Sequence, residues 1–363
     1  MRLIKSFDIK EFRGIKGLEK PIELGKFNVL VGRNCTGKTS ILQALYLLAM
    51  PLRESTIPPY DRSASVYIGE LIGDWKRLVY GYSGEATISF ELGVKGVLKY
   101  PLDIPPRILS LSLESKTVGY KTVNVERVEV KISAEKMSVE AKTRAFLGGN
   151  EVEISLLKDR YEDFVKSLNP RGSALALYVP DHSNAYKELH DYSFRSVDGI
   201  VKKGLHTKVC REYLEDVVYD RFTEVFTRGN ELFVRKEVGD TAIYVSLNDL
   251  GEGVKRFILM YFAVEHLNPA LVLWDDIEVA MHPSLMNTLL KWLAESERQV
   301  VIATHSLDVL HSLIFIEPRD AKIIILKKDA NDMIHHKSIE LDELEEILEK
   351  GIDLRAIIEG VVE

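Results

Sequence analysis

The hydrophobic rhythm of the chain changes twice. From Leu3 to Val31, "LIKSFDIKEF" alternates apolar and polar residues with period two, "RGIKG" turns, and "PIEL" and "FNVLV" follow, a pattern that predicts short strands. "TSILQALYLLAM", residues 39–50, is apolar on nearly every side and stops before Pro51, which predicts a buried helix. Residues 51–65 carry Pro51, Pro58, Pro59 and several serines and read as loop. In "EATISFELGVKGVLKY", "ILSLSLES", "VNVERVEVKIS" and "KMSVEAKTRAFLGGNEVEISLL" the period-two alternation returns, split by glycines and charged turns. The span 51–171 therefore reads as a mostly β insertion, and no heptad pattern is sustained long enough for a coiled-coil arm.

After about residue 172 strands and helices alternate: "ALALYV", a long helical region through "REYLEDVVYDRFTEVF", "AIYVSL", a helix from Gly253, "ALVLW", a helix from Pro283, "QVVIA", a further helix and "AKIIIL". Such alternation predicts a largely parallel sheet with helices on its faces. The fold class expected is α/β, with a mixed, mainly parallel sheet over 172–335 and an antiparallel β lobe that starts in 1–50 and carries the inserted β-rich region. The charged "ELDELEEILEKGIDLRAIIEG" predicts a helical tail over 336–363, interrupted at Gly351.

Composition narrows the class. An apolar share of 46% in 363 residues supports a sizeable core. The longest clean apolar run, Phe257 to Val264, is far short of the roughly eighteen residues that span a bilayer. The N-terminus lacks the uninterrupted apolar stretch of a secretion signal, and two cysteines, Cys35 and Cys210, suit a reducing compartment. A cytoplasmic protein without a membrane partner is expected. The formal charge of −7 argues against coating nucleic acid by bulk electrostatics, so any such contact has to be local.

The candidate chemistry begins at "GRNCTGKTS", residues 32–40, which fits GxxxxGK[ST] through Gly32, Gly37, Lys38 and Thr39. A strand leads in and a helix leads out, so loop N–H groups and the positive end of the helix converge on one anion site. Lys38 would reach the β- and γ-phosphates, and the Thr39 hydroxyl would ligate magnesium. Cys35 occupies a permissive loop position. Downstream, "ALVLWDDIE" ends a strand in Asp275 and Asp276, at the carboxyl edge where open α/β sheets bind ligands. Asp275 would hold magnesium, and Asp276 would orient the attacking water, with Glu278 as a substitute. "QVVIATHS" brings His305 to the same edge, either to contact the γ-phosphate or simply to precede a helix capped by Ser306. In "LNDLGEGVKRFILM", Gly251 and Gly253 leave the backbone bare at a helix start, a second anion-binding terminus that would cap a nucleotide held by another copy of the chain.

In these ordered segments, with "FRGIKG" before them, the sequence resembles the ABC-like AAA family ATPases of the SMC, RecF and OLD-nuclease group, in a compact form without coiled coil or nuclease domain. "GRNCTGKTSIL" matches the Walker A segment, "LGEGVKR" the signature, "VLWDDIEVAMHP" Walker B and "ATHS" the switch histidine. The resemblance implies an ATPase whose two heads sandwich ATP and magnesium. It assigns Gly32, Asn34, Gly37, Lys38, Thr39 and Ser40 to phosphate and magnesium, Gly251 and Gly253 to the opposing nucleotide, and Asp275 to the metal. Asp276 falls to water activation, His305 to the γ-phosphate, and Arg13 of "FRG" to the neighbourhood of the nucleotide. Three features depart from the family pattern. Asp276 replaces a glutamate, which implies slow hydrolysis. Gly251 stands where a serine is usual, leaving backbone N–H groups, Lys255 or Asn248 to substitute. A magnesium-ligating glutamine is missing, with Asp181 as the nearest replacement. The work expected is in DNA maintenance or genome defence, with DNA as partner and the basic stretch 201–211 as its local motif. The alternative is a regulatory switch that engages a protein or an effector nuclease.

Overall fold

The computed structural model describes residues 2–49, 52, 58–101, 120–147, 150–156, 158–351 and 354. The predicted strand "ILSLSLES", Met50 and the second helix of the tail lie outside them. The strands are β1 (Ile4–Phe12), β2 (Ile15–Leu18), β3 (Ile22–Glu23), β4 (Phe27–Gly32), β5 (Glu85–Pro101), β6 (Tyr120–Ser133), β7 (Ser138–Leu147) and β8 (Asn150–Ser155). They continue as β9 (Ala176–Val179), β10 (Arg221–Arg228), β11 (Glu231–Val238), β12 (Thr241–Ser246), β13 (Leu271–Trp274), β14 (Gln299–Thr304), β15 (Ala321–Lys328) and β16 (Met333–Ile339).

One 13-stranded sheet orders them β8-β7-β6-β5-β1-β2-β16-β15-β4-β14-β13-β9, with β3 paired beside β1. The half from β15 to β9 is parallel, and its strands read as unbroken apolar runs because helices cover both faces. Every residue of β4, β13, β14 and β9 is buried. The half from β8 to β1 is antiparallel. Strands β5 to β8 thus extend the sheet that β1 begins, and the β lobe and the α/β core share one hydrogen-bonded layer.

Several elements differ from the sequence-based expectation. The helix after the phosphate loop is Lys38–Tyr46; Leu48 and Ala49 bond back three residues to Leu45 and Tyr46, so the run tightens into turns before its predicted end. The reading of 51–65 as loop misses the helix Ala64–Ile72, capped by Ser63, whose Oγ accepts from the Val66 N–H at 3.2 Å. The long helix expected through 211–226 ends at Leu214, and Arg221–Arg228 is strand β10. It pairs antiparallel with β11, and β11 with β12, in a separate three-stranded sheet. A register shift between Phe222 and Glu224 breaks the alternation that would have signalled the strand. Residues 336–339, placed in the helical tail, complete β16 against β15; the tail helix is Leu341–Glu349 and stops at Gly351, where φ is 66. Among the described residues no helix is long and apolar enough to cross a membrane.

Candidate functional site

Parallel pairing sets the site. Val31 of β4 pairs with Thr304 of β14, and Ile302 of β14 with Trp274 of β13, so three strands end side by side at one carboxyl edge. Gly32, Asp275 and His305 follow those ends. The loop leaving β4 needs its glycines. A Cβ on Gly32 would lie 2.6 Å from Thr36 Oγ1 and 2.8 Å from the Leu326 carbonyl, and Gly37 has φ 92. Cys35 adopts φ 64, so left-handed residues flank Thr36 and bend the backbone around the loop's interior. Gly37 caps the helix Lys38–Tyr46 without a side-chain bond, which leaves the first-turn N–H groups for an anion.

Lys38 folds across this loop, its Nζ donating to the carbonyls of Gly32 at 2.9 Å and Arg33 at 3.2 Å. Burial lowers its pKa, while the carboxylates of Asp276, Asp275 and Glu278 oppose the shift. Next to it Thr39 stands close enough to Asp275 to hold its pKa down, which places the two residues assigned to magnesium together. Asp275 is 5% exposed, and its Oδ1 is buried without a hydrogen-bond partner among the described residues. Burial pushes its carboxyl up to about 6, with Thr39 opposing the rise and Asp276 adding to it. Asp276 adopts φ 44, an unfavourable backbone for a residue with a Cβ, and its Oδ1 stands 3.7 Å from His305 Nε2. Burial first and Glu278 second raise its pKa. Of the loop residues, Asn34 is exposed and Ser40 is buried in the helix.

Other assigned residues stand differently. Arg13 turns inward: its Nη1 donates to Gln43 Oε1, and Gln43 Nε2 reaches the Tyr178 hydroxyl at 3.3 Å. Burial lowers the Arg13 pKa although Tyr178 and Asp275 favour its charge, so it is a half-buried cation within the electrostatic reach of Asp275. Gly251 is exposed, and a Cβ there would meet nothing within 4 Å, at the open N-terminus of the helix Glu252–Leu267. Gly253 is buried; its Cβ would fall 2.3 Å from the Ala280 carbonyl. Its missing side chain is thus also required by the subunit's own loop, a reason for glycine independent of any neighbouring nucleotide. Lys255 pairs with Glu252 at 2.7 Å. Arg256, the last residue of the signature segment, binds Asp181 at 3.1 Å and lies over the Tyr186 ring at 4.3 Å. That pairing occupies Asp181 on the signature side. Ser306 does cap the helix Leu307–Ile316, accepting from the Asp308 N–H at 3.1 Å.

Comparisons with known proteins agree with this geometry. A family described as "AAA domain, putative AbiEii toxin, Type IV TA system" matches residues 27–311. The DNA replication and repair protein RecF of Cronobacter sakazakii is 32% identical over 92 residues, covering 23% of this chain and 26% of RecF. RecF of Salmonella paratyphi A is 30% identical over 93 residues, covering 24% and 26%. The match spans about a quarter of these curated relatives. Among solved structures, an Smc head bound to the C-winged helix domain of ScpA has a TM-score of 0.57 at 12% identity, over 94% of this chain and 99% of that one. The Smc head with an extended coiled coil, bound to the C-terminal domain of ScpA from Pyrococcus furiosus, has a TM-score of 0.51 at 12% identity, over 96% and 99%. The fold is therefore that of an SMC-head P-loop NTPase.

Proposed function

The chain belongs to this AAA-domain family, and on that premise we propose that it is a magnesium-dependent ATPase whose copies associate head to head on ATP, in DNA maintenance or genome defence. The observation that carries the reading is Asp275 Oδ1, buried and unpartnered among the described residues, at the sheet edge where the phosphate loop also ends. A carboxylate left in that condition fits a hard cation that also takes phosphate oxygens, which explains why one or two protein ligands suffice. Magnesium held by Asp275 and Thr39 would supply positive charge against the negative charge of the phosphates. The residues of the chain do the rest. Loop N–H groups and Lys38 hold the phosphates, Asp276 orients water and takes its proton, and His305 contacts the γ-phosphate. Gly251 supports the two-headed arrangement, since an exposed helix N-terminus without a capping side chain is open to an anion from outside the subunit.

The Asp275 carboxyl gives a pH test. Only its ionised form binds the cation, so magnesium-dependent ATP affinity is expected to be full near pH 8 and to fall as pH drops through about 6. The sign for stability is opposite. The folded chain holds this proton more tightly than the unfolded one, so the metal-free protein loses stability as pH rises from the ordinary carboxyl value of 3.8 through about 6. Asp275→Asn should therefore raise the metal-free Tm at pH 8 while abolishing any rise on adding magnesium and ATP. Melts with and without both ligands at pH 5.5 and pH 8 measure this. An unchanged response to magnesium in the variant would refute the metal assignment.

RecF, by its name a DNA replication and repair protein, supports DNA as the working partner. Duplex DNA is then expected to raise ATP turnover several-fold, with the stimulation lost steeply as salt increases. The stretch 201–211 favours the alternative, a switch acting on a protein. Lys203 donates to the Glu265 and His266 carbonyls and Lys208 pairs with Glu212, so part of its charge is already engaged. The Smc heads in complex with ScpA support a protein partner as well. Turnover indifferent to DNA, together with a protein retained only in the presence of ATP, would select that alternative.

A further inference from the structure

Glu278 lies two residues beyond the acidic pair, in the loop that leads to the helix Pro283–Glu295. Both its carboxylate oxygens are occupied. Oε1 accepts from the backbone N–H of His305 at 2.7 Å, and Oε2 accepts from the Thr304 hydroxyl at 2.9 Å. Thr304 Oγ1 in turn accepts from the Ser306 N–H at 3.0 Å, so the whole histidine turn hangs from one carboxylate. The same loop is pinned at its start by the Ile277 N–H, which donates to the Ala303 carbonyl at 3.3 Å. At its far side Ala280, with φ 62, presents its carbonyl to Gly253. One short loop therefore touches both the histidine turn and the open helix terminus behind Gly251.

A carboxylate whose two oxygens already serve donors of its own chain is poorly placed to orient water or bind a cation. That removes Glu278 as a substitute for Asp276. It also assigns it a different task, because hydrogen bonds from backbone N–H to a charged acceptor are short and about twice as strong as neutral ones.

We propose that Glu278 is a positioning residue that fixes the His305 turn against the acidic loop, so that the His305 and Asp276 side chains approach the γ-phosphate as one unit. This rests on the ATPase reading above. Asp276 adopts φ 44, whereas His305 follows the carboxyl end of β14 and, among the described residues, donates its N–H to Glu278.

The test combines steady-state turnover with hydrogen exchange on the full chain. Glu278→Ala should lower kcat by about tenfold or more while KM for ATP changes less than about twofold. Glu278→Gln, which keeps an oxygen for the His305 N–H, should recover turnover to within about threefold of wild type. In a His305→Ala background, Glu278→Ala should cost nothing further, since residues that act through one another are non-additive. Exchange at the His305 amide should accelerate at least about tenfold in Glu278→Ala and stay protected in Glu278→Gln, with the β14 amides before it unaffected. Additive losses in the double variant, or unaltered exchange at His305, would overturn the proposal. Absence of wild-type turnover would instead count against the ATPase reading, and the exchange arm would then decide alone whether Glu278 holds this turn.

Discussion

Lys38→Ala is expected to weaken ATP binding by about a hundredfold and to reduce turnover to background. Lys38 is 6% exposed, and among the described residues its ammonium bonds to two loop carbonyls, so on ligand entry it would exchange those weak acceptors for charged phosphate oxygens. Hydrogen bonds to charged groups contribute roughly 1.5–3 kcal/mol, and a hundredfold in affinity corresponds to about 2.7 kcal/mol, so the expectation lies within what one such contact supplies. Titration with a fluorescent ATP analogue and a phosphate-release assay read the two effects. A melt of the variant checks that the loop still folds, as it should, because Gly32, Gly37 and the Thr36 bond to the Arg33 carbonyl at 2.9 Å remain. Undiminished turnover in this variant would end the assignment of residues 32–40 as the phosphate cradle.

The second large effect belongs to Asp276→Asn. Removing a general base typically costs about 10²- to 10⁴-fold in rate, and a comparable loss is expected here. Affinity should move the other way. The Asp276 charge repels phosphate, so asparagine makes the site friendlier to the nucleotide. ATP should therefore bind as tightly as in wild type or tighter, and the unhydrolysed complex should accumulate as a dimer on size exclusion. Wild-type rates in the variant would move the water-activating role elsewhere. A monomeric elution with ATP bound would defeat the head-to-head arrangement.

What could be read from the residues divides by distance along the chain. The phosphate loop was legible because its parts, from Gly32 to Thr39, act through local backbone geometry. The acidic pair and His305 were legible because a strand's carboxyl end marks a ligand-binding edge wherever it occurs. Glu278 was not, since its task depends on partners 26 and 27 positions further on, brought beside it by the parallel pairing of β13 and β14. Gly253 has a second explanation that was hidden for a similar reason. A bare glycine at a helix start suggests an open anion site, and only the tertiary structure shows the Ala280 carbonyl filling the space. In the hairpin of β10 and β11, the irregularity at Phe222 hid one strand, although Gly229 with φ 62 marks the turn between them.

Strand β5 is 17 residues long, which at about 3.3 Å per residue makes a ribbon of at most roughly 55 Å. It begins beside β1, the strand that runs into the "FRG" turn carrying Arg13, and pairs on its other side with β6, the register shifting between Glu91 and Gly96. At that length, a tilt of about 5° at the end beside β1 would carry the far end of a straight ribbon roughly 5 Å, since strand rise fixes the geometry. A rotation too small to notice where the ribbon starts would thereby become an excursion on the scale of a side chain where it ends.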